Sequence, residues 1–203
     1  MKRVLCTLAV LVFLPTFVVH SHAAEKQKSK GAYKPPPAGI AVIAVGTVPS
    51  NIITRVATHV GEQFLCPVVH LDPMPEPPTN NPIALLEQRK KSAAVLVALV
   101  NLPKEKAPLR GLAMPSKSLA LVDIHNLMQS GGSQTVGGEK YLRRIDKEAT
   151  RAVAKALGMP RCPIIRCALH EAKSLHELDK KSRTLCPPCT TKARKRLREK
   201  GVV

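Results

Sequence analysis

Four of the six cysteines fall in one late stretch, as Cys162, Cys167, Cys186 and Cys189, spaced C-x4-C, then eighteen residues, then C-x2-C. A thiolate is a strong zinc ligand, and two close pairs supply the four sulfurs of a tetrahedral cage. Such a cage leaves no open coordination position, so its chemistry is structural rather than catalytic. Pro187-Pro188 stiffen the second pair, and Arg166, Arg183 and Lys192 would favour thiolate and offset the charge of a zinc tetrathiolate centre. The expected load is one structural zinc, contributing on the order of 10 kcal/mol to folding. The rival chemistry is a pair of disulfides, which an oxidising compartment would favour. Cys6 lies in an N-terminal stretch that reads as a signal and would be lost with it, so Cys66 is then the odd cysteine left over.

The second chemical signal is charge. Lys and Arg number 32 against 14 Asp and Glu, a formal net charge of +18 over 203 residues. That excess points to anionic partners: an acidic peptide, phosphate, nucleic acid or an anionic surface. The plain alternative is a solvated basic exterior with no dedicated ligand. Aromatic residues make up only 2% and Trp is absent, which disfavours stacking on bases or sugars. The core must come from Val, Leu, Ile and Ala.

The elements that would carry these groups follow in order. Residues 1–23 read as a secretory signal, with Lys2 and Arg3 before an apolar run over 4–19 and Ser21-His22-Ala23 offering a cleavage site. This makes the expected location secreted or periplasmic. An uncleaved anchor is the rival, although the run is short for a membrane span. Residues 24–38 form a basic, proline-ended linker. A folded domain then spans 39–190. Its apolar runs predict strands over 39–48, 66–71, 93–102 and 119–124. Apolar spacing predicts helices over 51–64, 83–91 and 139–157, the last stopped by Gly158 and Pro160. Residues 72–82 and 103–110 are expected as loops, and the Gly- and Ser-rich 130–138 as a mobile one. Residues 191–203 read as a solvated basic tail. Strands alternating with helices imply an α/β layer architecture.

On the long helix, Leu142, Ile145, Ala149, Ala152, Val153 and Ala156 share the expected core face. Arg143, Lys147, Arg151 and Lys155 step by four along an expected wet face. The helix, then G-x3-C-x4-C from Gly158, then C-x2-C, resembles the C-terminal half of the archaemetzincins, a branch of the metzincin zinc peptidases. The F-x-C pattern at Phe64 and Cys66 and the run at Leu175, Asp179, Lys181 and Ser182 also look like the family. The resemblance implies an α/β metzincin-like domain: a mixed β-sheet packed with helices, ending in a four-cysteine zinc knuckle. It also implies that Cys162, Cys167, Cys186 and Cys189 hold the family's structural zinc, although the interval from Cys167 to Cys186 is slightly short.

The same register brings a departure. In the family, three histidines bind a catalytic zinc and a glutamate activates its water. Those positions hold Arg151, Ala152, Lys155 and Arg161 here, and Leu169 replaces the methionine of the Met-turn. Arg offers no lone pair, Lys155 would have to lose its proton beside two arginines, and Ala152 accepts nothing. His170, Glu171 and His176 do not replace the set, because residues six apart point about 240° away from each other on a helix. His59, His70 and His125 are scattered. No catalytic residue is therefore expected, and the resemblance implies a protein that has lost hydrolysis and binds or scaffolds instead. Arg151, Lys155 and Arg161 become candidate binders of carboxylate or phosphate if they line the old cleft. The alternative there is a wet groove filled by drift. Two other functions stay open: an active zinc metallopeptidase with unconventional ligands, and a basic protein that binds nucleic acid or an anionic surface.

Overall fold

Six consecutive β-branched and small apolar residues, IAVIAV, form β1 (Ile40–Val45), and VLVALV forms β3 (Val95–Val100); every residue of both is buried. A strand buried on both faces belongs at the centre of a parallel sheet covered by helices. The computed structural model describes residues 39–75, 82–90, 93–101, 111–128 and 138–202. The signal and linker readings, the 130–137 and 103–110 loops and part of the 72–82 loop lie outside them. The sheet has five strands in the order β2-β1-β3-β5-β4, adding β2 (Val68–His70), β4 (Gly111–Met114) and β5 (Leu119–Asp123). All neighbours are parallel except β4, which runs antiparallel to β5 at the edge. The mixed α/β sheet expected from sequence is thus present.

Period-2 alternation splits the sheet into two cores. Ile40, Val42, Val95, Val97 and Leu99 face α1 (Ser50–Phe64) and α3 (Glu139–Ala156). Ala41, Ile43, Val45, Leu96, Ala98 and Val100 face the other way, where α2 (Pro82–Lys90) seals them with Leu86. Ile52, Val56, Ala57, Val60 and Phe64 make the buried stripe of α1, at the expected helical spacing. No described helix is long and apolar enough to cross a membrane.

The termination of α3 follows from one residue. Gly158 has φ +76°, and its N–H reaches Lys155 O at 2.9 Å while Met159 N–H reaches Ala154 O at 3.1 Å. These paired bonds close the helix in a left-handed cap that glycine adopts without strain. The chain continues through α4 (Leu175–Lys180), which packs on α3, and α5 (Pro187–Glu199), which packs on α1.

Three expectations need correction. The four-step row on α3 is not a wet face: Lys147 is 5% exposed, and only Arg143 of the row is freely exposed. Leu142, expected in the core, is half-buried. Residues 191–199 are not a loose tail but the body of α5, which buries Cys189, Ala193 and Leu197. That stripe is only one residue wide per turn, so it is hard to see among lysines and arginines. β4 and α4, at four and six residues, are too short for periodicity to register.

Candidate metal centre

The C-x4-C and C-x2-C arms meet because the backbone stitches them together. Ser182 N–H donates to Arg166 O at 2.8 Å, and Ala168 N–H donates to Thr184 O at 3.0 Å. Cys186 sits just before the first turn of α5, Pro187 and Pro188 take its first two positions, and Cys189 follows. Prolines suit that place because those N–H groups would lack partners. The arrangement also turns two sulfurs towards a helix start, where the dipole favours negative charge.

The sulfurs of Cys162, Cys167, Cys186 and Cys189 all lie within 4.8 Å of one another. Cys162 Sγ and Cys186 Sγ are 3.8 Å apart. Four thiolates about 2.3 Å from one zinc ion stand about 3.8 Å apart, whereas a disulfide would bring a pair to about 2.05 Å. The donor set therefore fits a tetrahedral metal. Burial pushes the Cys167 and Cys189 thiols up. Burial acts the same way on Cys186, but the backbone N–H of Cys189 and the neighbouring thiols outweigh it and bring that thiol down. Cys66 stands apart: it is buried, and desolvation pushes its thiol up to about 11. Among the described residues, no other group of three or more His, Cys, Asp or Glu side chains converges.

The knuckle is tied to the interior of the protein. His170 Nδ1 lies 2.8 Å from Cys162 O. A carbonyl only accepts, so Nδ1 carries the hydrogen in this bond. The His170 carbonyl in turn accepts from Lys181 Nζ. Lys181 is 5% exposed, and its ammonium is pulled down to about 8 by burial, with Glu148 partly opposing.

The residues expected at the family's catalytic positions present a different picture. Arg151 Nη2 lies 2.6 Å from Glu148 Oε2 and Arg151 Nε 2.7 Å from the same oxygen. Ala152 is core, packed with Ile145, Ala149 and Val153. Lys155 is half-buried. Arg161 is exposed, lies 3.6 Å from Glu171, and lines a cavity whose walls include neither Arg151 nor Lys155. Leu169 is buried. Three free cations sharing one cleft is thus not what the fold provides, because Arg151 already has a carboxylate. The donors present do not fit a catalytic zinc: two guanidinium groups, one ammonium and a methyl group offer it no lone pair at neutral pH.

Sequence reasoning missed the ionic layer on α3. Arg144 donates to both oxygens of Asp179 at 2.6 Å, and Lys147 Nζ donates to the carbonyls of Leu178 and Asp179 at 2.9 and 2.8 Å. Asp146, fully buried, accepts from Arg55 and Arg183. Only the local Glu139–Arg143 and Glu148–Arg151 spacings could have been noticed beforehand, since the partners of Arg144, Lys147 and Asp146 named above are more than thirty residues away.

The family model described as peptidase family M54 matches residues 123–195, the segment from the end of β5 into α5. An archaemetzincin from Pyrococcus furiosus is 25% identical over 161 residues, covering 78% of this chain and 79% of its own. The crystal structure of an archaemetzincin from Methanopyrus kandleri superposes with a TM-score of 0.61 at 24% identity, covering 80% of this chain and 96% of that one. A zinc-dependent peptidase from Methanocorpusculum labreanum gives a TM-score of 0.62 at 18% identity, over 76% of this chain and 100% of that one.

Proposed function

The chain belongs to the archaemetzincin family of zinc peptidases, and from that premise we propose that it is a member without peptide-bond hydrolysis, keeping a structural zinc and serving as a binding or scaffold protein. The observation that carries this reading is the pairing of Arg151 with Glu148 beside a buried Ala152. Where the family's chemistry needs neutral donors and a carboxylate for water, this interior holds an ion pair and a methyl group. The four converging thiols support retention of zinc at Cys162, Cys167, Cys186 and Cys189. That ion would tie the 159–186 segment to α5; no reaction step runs through it. Residues 1–23 support export, as part of the same proposal.

The test combines metal content with activity. Purified protein should carry close to one zinc per chain, the number one tetrathiolate cage holds. It should leave an unstructured peptide uncut with zinc added. A second bound zinc together with chelator-sensitive cleavage would restore the active-peptidase reading.

A second reading has its own observation. Cys189, Ala193 and Leu197 fix α5 against the core, and its exposed side carries Lys192, Arg194, Lys195, Arg196 and Arg198. A rigid cationic ridge of this kind suits the phosphates of nucleic acid or an anionic headgroup layer. Binding to DNA or anionic vesicles that vanishes on raising salt, and on neutralising these five residues, would favour it.

A further inference from the structure

We propose that the cleft between α3 and residues 179–183 is a binding site for a phosphate-type oxyanion, on residues separate from Arg151, Lys155 and Arg161.

The cleft has a volume of about 520 Å³. Its walls carry the cations Lys140, Arg143, Lys147, Lys181 and Arg183 against the carboxylates Glu139 and Asp179. Lys140, Arg143 and Lys147 stand three and four residues apart, so one face of α3 presents them together. Lys181 and Arg183 approach from the opposite wall.

The two wall carboxylates offset at most two of the five wall cations, so the walls keep an excess of positive charge. Glu139 is shared between Arg143, at 2.8 Å, and Arg55, at 3.2 Å. Asp179 is shared between Lys140, at 3.2 Å, and Arg144, at 2.6 Å. Arg55 and Arg144 lie outside the walls, so they draw negative charge away from the cavity. Arg183 has only a share of Asp146, at 3.2 Å, which Arg55 also holds at 2.9 Å. Lys147 and Lys181, each 5% exposed, are met by backbone carbonyls. Carbonyls satisfy the hydrogen bonds of an ammonium group but do not cancel its charge. Lys147 and Lys181 thus add positive potential to the cavity from behind its surface, and the guanidinium groups of Arg143 and Arg183 at the rim supply bidentate donors.

The cleft is open to solvent on one side and admits a phosphate or a diphosphate together with water. Phosphate chemistry has two sources here, a free anion and the phosphoryl group of a modified side chain, and the experiment separates them.

Titration calorimetry on the full chain, at constant ionic strength, would use pyrophosphate, inorganic phosphate and O-phosphoserine, with chloride as the blank. Pyrophosphate should bind with one site and raise Tm, as ligand binding to the native state requires. Arg143→Gln/Arg183→Gln removes two exposed cations and should weaken binding by about tenfold or more, the expected scale for losing charge-assisted hydrogen bonds. Arg89→Gln/Lys90→Gln removes the same charge from the last turn of α2, on the opposite face of the sheet, and should leave affinity within about twofold, as screened distant charges do. If the first pair fails to fold, Lys140→Gln is read in its place. Tighter binding of O-phosphoserine than of inorganic phosphate assigns the site to a modified side chain, and the reverse order to a free anion. No heat with any of the three, equal affinity in the cleft variant, or equal loss in the α2 control would overturn the proposal.

Discussion

Arg151 and Glu148 face each other one turn apart on α3, joined at 2.6 and 2.7 Å through a single carboxylate oxygen whose side chain is 3% exposed. β4 closes over them: a Cβ added at Gly111 would lie 3.3 Å from Arg151 Nη2 and 3.1 Å from Leu121 O. An arginine in this position is not idle polar filling. It is the counter-ion of an interior acid, held under the edge strand, and a metal ligand could not take its place without leaving Glu148 unpaired.

Arg151→Ala should therefore be far more costly than a surface change. Removing one partner of a buried pair leaves an uncompensated charge, at about 3–5 kcal/mol. The double variant Arg151→Ala/Glu148→Ala should recover a good part of that loss. Urea denaturation of the wild type, both single variants and the double variant checks it. Additive losses, with no coupling between the positions, would show that the pair is not a unit.

Much of the fold was legible because it rests on local pattern. The β-branched runs of β1 and β3, the apolar stripe of α1, and Gly158 before Pro160 each encode their element within a few residues. The cysteine quartet was legible because its spacing is tight at both ends. The charged layer was not. Arg143, Lys147, Arg151 and Lys155 look like one solvated row by spacing, yet Lys147 is buried by partners on α4 and Arg151 by β4 and Glu148. Whether a charge on a helix is wet or buried depends on what packs over it, and those segments lie far along the chain. The same holds for α5, whose apolar stripe has meaning only once α1 is beside it.

Asp179 should shape the acid side of the stability curve. Burial opposes its ionisation, but hydrogen bonds from Arg144 and Lys140 outweigh that and hold the carboxyl below its usual value. A carboxyl whose pKa is lower in the folded state contributes stability above its unfolded value, about 3.9. That contribution disappears as pH falls through the folded value. Asp179→Asn should thus be less stable than wild type at pH 7, and the gap should narrow as the solution is acidified. Thermal melts across pH 7 to pH 3 would show it; a constant gap would mean that the carboxylate's charge contributes nothing.

Gly158→Ala isolates a backbone effect. No atom lies within 4 Å of a Cβ added there, so sterics with neighbours are absent. The φ of +76° alone makes the substitution unfavourable, by about 1–2 kcal/mol for an L-residue in the left-handed region. Gly158→Asn should cost less, because asparagine tolerates that region better. Equal stability of all three proteins in urea would refute the account of how α3 ends.

Zinc removal tests the candidate centre against the disulfide alternative. The C-terminal segment from Met159 to Leu197 has its own buried side chains, but its two cysteine arms are held to one another chiefly through the sulfur cluster and a few backbone bonds. A four-cysteine site contributes on the order of 10 kcal/mol when loaded, comparable with the whole stability of a domain. Cys162→Ser should therefore abolish zinc retention and expose residues 159–199 to rapid hydrogen exchange, and a strong chelator should do the same to the wild type. Cys66→Ser is the matched control: its thiol is buried away from the cluster, so zinc content should not change. Alkylation followed by mass spectrometry completes the comparison. Four thiols that label only after chelation support the cage. Two disulfides in the metal-free protein, with exchange protection intact, would assign the same cysteines to covalent cross-links instead.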